Sequence, residues 1–359
     1  METMYTYILE EEKCFNDIIN KRKDSLKKLN DLLNAKRDKL KRIVFLATGS
    51  SVNALNCSKN YIEELLKVSV DIQMPGMYCS YNNWIDKDEI IIAISQSGKS
   101  TSTINAVKKA KVLGAEDIAV LTSDINSPIC NYCDISVDIN CGIENIGYVT
   151  KGFSATVLTL LLFALEGALT LGKISIERYE NELNELNEVI KQVNSTISLT
   201  NEWYENNKEE FLKAKRIKTV GYGAGVGIAM ESNTKIAETV RVPISSFELE
   251  EYTHGPYLEL KDNHFMFFIQ TKGCQEERLE KLISYCKRYT KFCYKITYEK
   301  ERESRRDLDL NIECNEFFST LLLVVPIQIL SYRLAEDLGI DLSKKIYTDF
   351  HLCLESKLI

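Results

Sequence analysis

The 359-residue chain is 45% hydrophobic and 27% charged, with 16 Gly and only 5 Pro, a composition that excludes a disordered or collagen-like chain and predicts two or three globular domains. Asp and Glu (52) outnumber Lys and Arg (45), giving a formal net charge of -7, so nucleic acid is not an expected partner: affinity for it rests on cations that neutralise phosphates. Eleven cysteines with no secretory leader ahead of them predict reduced thiols and a cytoplasmic protein.

Residues 5–42 carry Ile18, Ile19, Leu26, Leu29, Leu32 and Leu33 among charges, the period of an amphipathic helix or helical pair. At Ile43 the pattern changes to a short continuous apolar run, Ile43 to Ala47, which stops at Thr48-Gly49-Ser50-Ser51 and leads into a helical pattern through Leu66. A second run, Glu89 to Ile94, stops at Ser95-Gln96-Ser97-Gly98-Lys99-Ser100-Thr101; a third covers Asp117 to Leu121 and a fourth Ile135 to Ile139. Strands apolar on both faces, alternating with helices, predict a parallel sheet covered on both sides. The stretch Ala155 to Leu165, closed by Glu166, falls short of the ~20 residues of a bilayer span and predicts a buried core helix, with no membrane partner.

The layout then repeats. Thr219 to Gly225 matches the first strand and glycine turn, His264 to Gln270 with Lys272-Gly273 the second, Phe292 to Thr297 the third and Leu308 to Ile312 the fourth. Gly49 to Gly98 is 49 residues and Gly223 to Gly273 is 50, so the chain reads as a tandem pair offset by about 174 residues. The predicted organisation is a helical lead-in over 1–42, an α/β domain over 43–175, a linker helix over 176–215, a second α/β domain over 216–335 and a tail over 336–359. An apolar helix, Phe317 to Leu334, closes the second copy.

Ser95 to Thr101 stands at the carboxyl end of a predicted parallel strand and opens a helix, where ligands bind in open α/β sheets. Its hydroxyls, its glycine and the helix N-terminus make an anion cradle suited to phosphate, without the spacing of a nucleotide P-loop. The turn Gly221 to Gly227 fails the dinucleotide register, because Val226 stands where Gly or Ala is needed. Glu231, Lys235 and Glu238 share a helix face; read alone, they are a solvated stabilising pair. His254, next to Gly255-Pro256, sits in a fixed turn that can present its ring to a cleft. No histidine of the three stands at ligand spacing to another or to a cysteine, and Cys130-Cys133 lacks a second pair, so neither a metal nor a cofactor is expected.

Thr48-Gly-Ser-Ser51, Ser95-Gln-Ser-Gly-Lys-Ser100, Ile146-Gly-Tyr-Val-Thr-Lys151, the Glu231/Lys235/Glu238 face and His254-Gly-Pro256 together resemble tandem sugar isomerase (SIS) domains, from about Ile43 to Ile340. The pattern is similar to the isomerase half of glucosamine-6-phosphate synthase and to fructosamine-6-phosphate deglycases. The resemblance implies two three-layer αβα domains, each with a parallel sheet of about five strands. It implies phosphate contacts from Ser50 or Ser51 and from Ser95, Gln96, Ser97 and Ser100, and substrate contacts from Tyr148, Glu231 and Lys235. It makes Glu238 the base that moves a proton between C1 and C2 of an open-chain sugar, and His254, 16 residues on, the ring-opening group supplied by a partner subunit, hence a homodimer with shared active sites.

Two departures bear on the reaction. The chain starts Met1-Glu2-Thr3-Met4, without the cysteine nucleophile of a glutaminase, so glutamine-dependent amination is not expected of it. By the same resemblance, the place of the synthase's Schiff-base lysine falls near Phe350, in Tyr347-Thr-Asp-Phe350, with Lys344, Lys345 and Lys357 nearby but out of register. The expected activity is a deglycase or isomerase that acts on a 6-phosphorylated sugar-amine conjugate and releases hexose phosphate and amine. The alternatives are a glucosamine-6-phosphate isomerase/deaminase and a non-catalytic phosphosugar sensor.

Overall fold

The computed structural model describes residues 2–300 and 304–357. Two compact units emerge: a first of Lys13–Leu183 with the tail from Lys345, and a second of the segment up to Glu12 with Asn184–Lys344. The divisions fall inside the helices Glu11–Ala35 and Ile176–Ile190, rather than at residues 42 and 215.

In the first unit β1 (Arg42–Leu46), β2 (Ser69–Gln73), β3 (Ile90–Ile94), β4 (Ile118–Thr122) and β5 (Ile135–Asp138) form one sheet in the order β2-β1-β3-β4-β5, with every pairing parallel. The central strands β3 and β4 are buried throughout, which is why their sequences run apolar without alternation. In the second unit β6 (Ile217–Gly221), β7 (Ile244–Glu248), β8 (Phe265–Gln270), β9 (Cys293–Thr297) and β10 (Leu308–Asp309) repeat that order as β7-β6-β8-β9-β10, again parallel. Two five-stranded parallel sheets flanked by helices agree with the expected tandem αβα architecture. In each, the chain leaves its first strand in one direction and its third in the other, so the loops after β1 and β3, and those after β6 and β8, stand at a topological switch point.

Several elements differ from the reading of the sequence. The strands β2 and β7 carry no continuous apolar run: they are half-buried edge strands whose sequences, SVDIQ and ISSFE, mix polar and apolar residues. The linker is two helices, Ile176–Ile190 and Val193–Phe211. The apolar helix near the C-terminus is broken into Glu316–Leu323 and Val325–Asp337 just ahead of Pro326, which lacks the N–H that a continuous helix needs. The helix Lys151–Thr170 is longer than its apolar core, and by length and composition it could cross a bilayer, as could the segment Glu316–Asp337; both are largely buried inside the protein.

Candidate functional site

The expected phosphate loop follows β3. Ser95 is buried and its N–H donates to the Leu121 carbonyl (3.1 Å), which pins the start of the loop to β4. Gly98 has φ +61°, and a Cβ there would lie 1.8 Å from Ser127 Oγ, so this position requires glycine. Ser97 is exposed and Gln96 and Ser100 are half-buried. Ser100 is the N-cap of the helix Thr101–Val112, and its Oγ accepts from Thr103 Oγ1 (3.1 Å). Ser50 and Ser51 open the helix Ser50–Leu66 after β1, and since β1 pairs with β3 the two loops are neighbours. Cys130 and Cys133 belong to the turn behind this loop; burial pushes the Cys133 thiol up to about 12, far from the reactive thiolate range.

A carboxylate absent from the sequence reading joins this loop. Glu144 Oε2 accepts from Gln96 Nε2 (2.6 Å) and from the Gly152 N–H (3.2 Å), while Oε1 accepts from the Thr150 N–H (3.1 Å). The Glu144 pKa is raised, because burial outweighs the three donors that act to lower it. Tyr148 is half-buried between Glu144 and the helix Lys151–Thr170, its carbonyl accepting from Thr150 Oγ1 (2.8 Å). The C-terminal tail also reaches the loop: Thr101 N–H donates to the Ser356 carbonyl (3.2 Å) and Ser100 pairs with Lys357 in an antiparallel bridge. Lys357 is thus brought to the loop, whereas Lys344 is 3.6 Å from Asp341 in the other unit and Phe350 is exposed.

In the second unit Glu231, Lys235 and Glu238 do share one face of the helix Gly225–Thr239, but the solvated pair expected of them in isolation is not what forms. Lys235 and Glu231 are each 1% exposed, with Nζ 3.7 Å from Glu231 Oε1; Nζ is 2.6 Å from Oε2 of Glu238, whose side chain is 41% exposed. The result is a buried cation that holds a solvent-facing carboxylate. His254 follows the helix Leu249–Thr253 and is anchored separately: its Nδ1 lies 2.8 Å from the Glu250 carbonyl. A carbonyl only accepts, so in the neutral ring Nδ1 carries the hydrogen and Nε2 keeps the lone pair.

The corresponding switch point of the second unit is filled from within. Glu316 Oε1 accepts from the Ala224 N–H (2.9 Å), in the turn after β6, and from Thr271 Oγ1 (3.0 Å), after β8. An acceptor-only group already occupies the place where a phosphate would sit. The only sequence signal for Glu316 is the Asn315 N-cap ahead of it.

A SIS domain family profile matches residues 38–166. Over its full length the chain is similar to a solved structure from Clostridium difficile 630, provisionally assigned as a phosphosugar isomerase: 30% identity, TM-score 0.91, with 100% of this chain and 99% of that one covered. Curated relatives include the glutamine–fructose-6-phosphate aminotransferases (isomerizing) of Clostridium tetani, 26% identical over 84% of this chain and 50% of that protein, and of Thermococcus kodakarensis, 26% identical over 95% and 56%. The chain therefore spans about half the length of these curated relatives.

Proposed function

This chain belongs to the SIS-domain family, and from that premise we propose that it is a sugar-phosphate enzyme of the isomerase type, acting on a 6-phosphorylated sugar-amine conjugate of the fructosamine 6-phosphate kind. The observation that carries the reading is the Lys235–Glu238 contact of 2.6 Å: a carboxylate that must take a proton from carbon needs to be accessible and fixed, and a buried lysine beside an exposed glutamate supplies both. Glu238 would shuttle the proton between C1 and C2; His254, with its Nε2 lone pair available, would serve the ring oxygen during opening. Ser50, Ser51, Ser95, Ser97 and Ser100 would hold the phosphate against the N-termini of two helices. An amine already at C1 dispenses with a Schiff-base lysine, in keeping with the stretch Tyr347-Thr-Asp-Phe350, which carries none. The proposed setting is a cytoplasmic homodimer in which His254 completes the partner's site.

Incubating the purified protein with fructoselysine 6-phosphate and glucoselysine 6-phosphate should release hexose phosphate. No turnover on either, with Glu238→Gln equal to wild type on every phosphosugar tried, defeats the reading. Lys357, brought by the tail to Ser100, favours a second reaction at the same site: interconversion of glucosamine 6-phosphate with fructose 6-phosphate and ammonia. Ammonia release and a borohydride-trapped adduct on Lys357 would select it.

A further inference from the structure

Gln96 lies between two of the serines proposed to hold phosphate, yet its side chain is committed elsewhere. Its backbone carbonyl accepts from the Ser123 N–H (2.9 Å) and from Thr122 Oγ1 (3.1 Å), which fixes its main chain against the next loop. Its Nε2 donates to Glu144 at 2.6 Å, and the other groups contacting that carboxylate, the N–H of Thr150 and of Gly152, are donors too. Three converging donors all meet Glu144 as an acceptor, the role that a carboxylate fills. A carboxamide can ordinarily turn either end toward a ligand; against a partner that only accepts, the nitrogen end is locked and the carbonyl end is turned away from it.

The first turn of the next helix is shaped around this contact. A Cβ on Gly152 would lie 1.7 Å from Gln96 Nε2 and 2.7 Å from Glu144 Oε2, so glycine is what lets the carboxamide lie across the start of the helix Lys151–Thr170. The locked amide offers one carbonyl oxygen and one remaining hydrogen. A hydroxyl, which both donates and accepts, matches that pair; an ionised phosphate, which only accepts, does not.

Resting on the phosphosugar reading of this loop, we propose that Glu144 is a positioning residue that fixes the Gln96 carboxamide so that Gln96 reads a hydroxyl of the sugar's carbon chain, while the serines and main-chain amides hold the phosphate. Glu144 touches no substrate and acts through Gln96 alone.

The test is calorimetric titration of the full chain with fructose 6-phosphate and phosphorus NMR titration with inorganic phosphate, on wild type, Glu144→Gln, Gly152→Ala and Gln96→Ala. Each variant should weaken fructose 6-phosphate about tenfold or more, the loss of one hydrogen bond to a desolvated group, and leave inorganic phosphate within about twofold. Adding Glu144→Gln to Gln96→Ala should cause no further loss, because both act on one contact. Gly152→Ala moves Gln96 without altering any charge, and so keeps the test informative if Glu144→Gln folds poorly. Unchanged fructose 6-phosphate affinity in Glu144→Gln and Gly152→Ala overturns the proposal, and so does an equal loss for sugar phosphate and inorganic phosphate. A wild-type protein that binds no fructose 6-phosphate defeats the phosphosugar reading itself.

Discussion

Lys235 Nζ stands 2.6 Å from Glu238 Oε2 and 3.7 Å from Glu231 Oε1, so one ammonium group faces both an exposed carboxylate and a buried one. That asymmetry separates stability from turnover. Lys235→Met leaves the Glu231 carboxylate buried without its lysine and should cost about 3–5 kcal/mol in urea unfolding. Glu238→Gln, at a side chain 41% exposed, should cost less than about 1 kcal/mol. On the proposed reaction the second variant is the more damaging one for turnover: an amide cannot take the proton from carbon, and kcat should fall by roughly a hundredfold or more. Wild-type turnover in Glu238→Gln would remove it from the base role.

Glu316 leads to a prediction about stoichiometry. Its Oε1 takes the Ala224 N–H and the Thr271 hydroxyl at the second unit's switch point, so that cradle is filled by a carboxylate at the start of the helix Glu316–Leu323. Calorimetry with fructose 6-phosphate should then give one site per chain, and Glu316→Gln should not abolish that site. Two equivalent sites per chain in the wild type would contradict this account of the second cradle.

His264 sets a pH dependence. Burial holds its pKa below the ordinary histidine value, with Lys218 acting in the same direction; the residue is 4% exposed and its Nδ1 has no hydrogen-bond partner. The unfolded chain takes up a proton as pH falls through about 6.5 while the folded chain does not, so the unfolded state binds more protons and stability drops below that pH. Denaturant unfolding at pH 7.5 and pH 5.5 should show the loss, and His264→Gln should show less of it. An identical pH slope in the two proteins would exclude this histidine as the source.

The sheets and the turn after Ile90–Ile94 were legible because buried parallel strands are continuous apolar runs, and because a serine- and glycine-rich turn directly after one is a strong local signal. The edge strands Ser69–Gln73 and Ile244–Glu248 were not, since half-buried edges need no such run. The burial of Lys235 and Glu231 was hidden for a different reason: spacing puts residues on one helix face but does not tell whether that face meets solvent. Glu144 and Glu316 are lone loop or first-turn glutamates with no period of their own, and only the fold shows which amides they accept from.

The last prediction concerns the sharing of sites in the proposed homodimer. Glu238 and His254 are held by different partners, Lys235 and the Glu250 carbonyl, so each can be removed without disturbing the other's anchor. Glu238→Gln and His254→Ala homodimers should each be nearly inactive. In a hybrid, shared sites place both defects in one site and leave the other site whole; sites built within one chain leave both defective. An equal mixture, exchanged to equilibrium, is half hybrid, and should recover about a quarter of wild-type turnover. The assay is hexose phosphate release before and after subunit exchange, with sedimentation to establish that the dimer persists. Activity that stays at the level of the separate variants would mean that His254 serves its own chain, or that the protein does not work as a dimer.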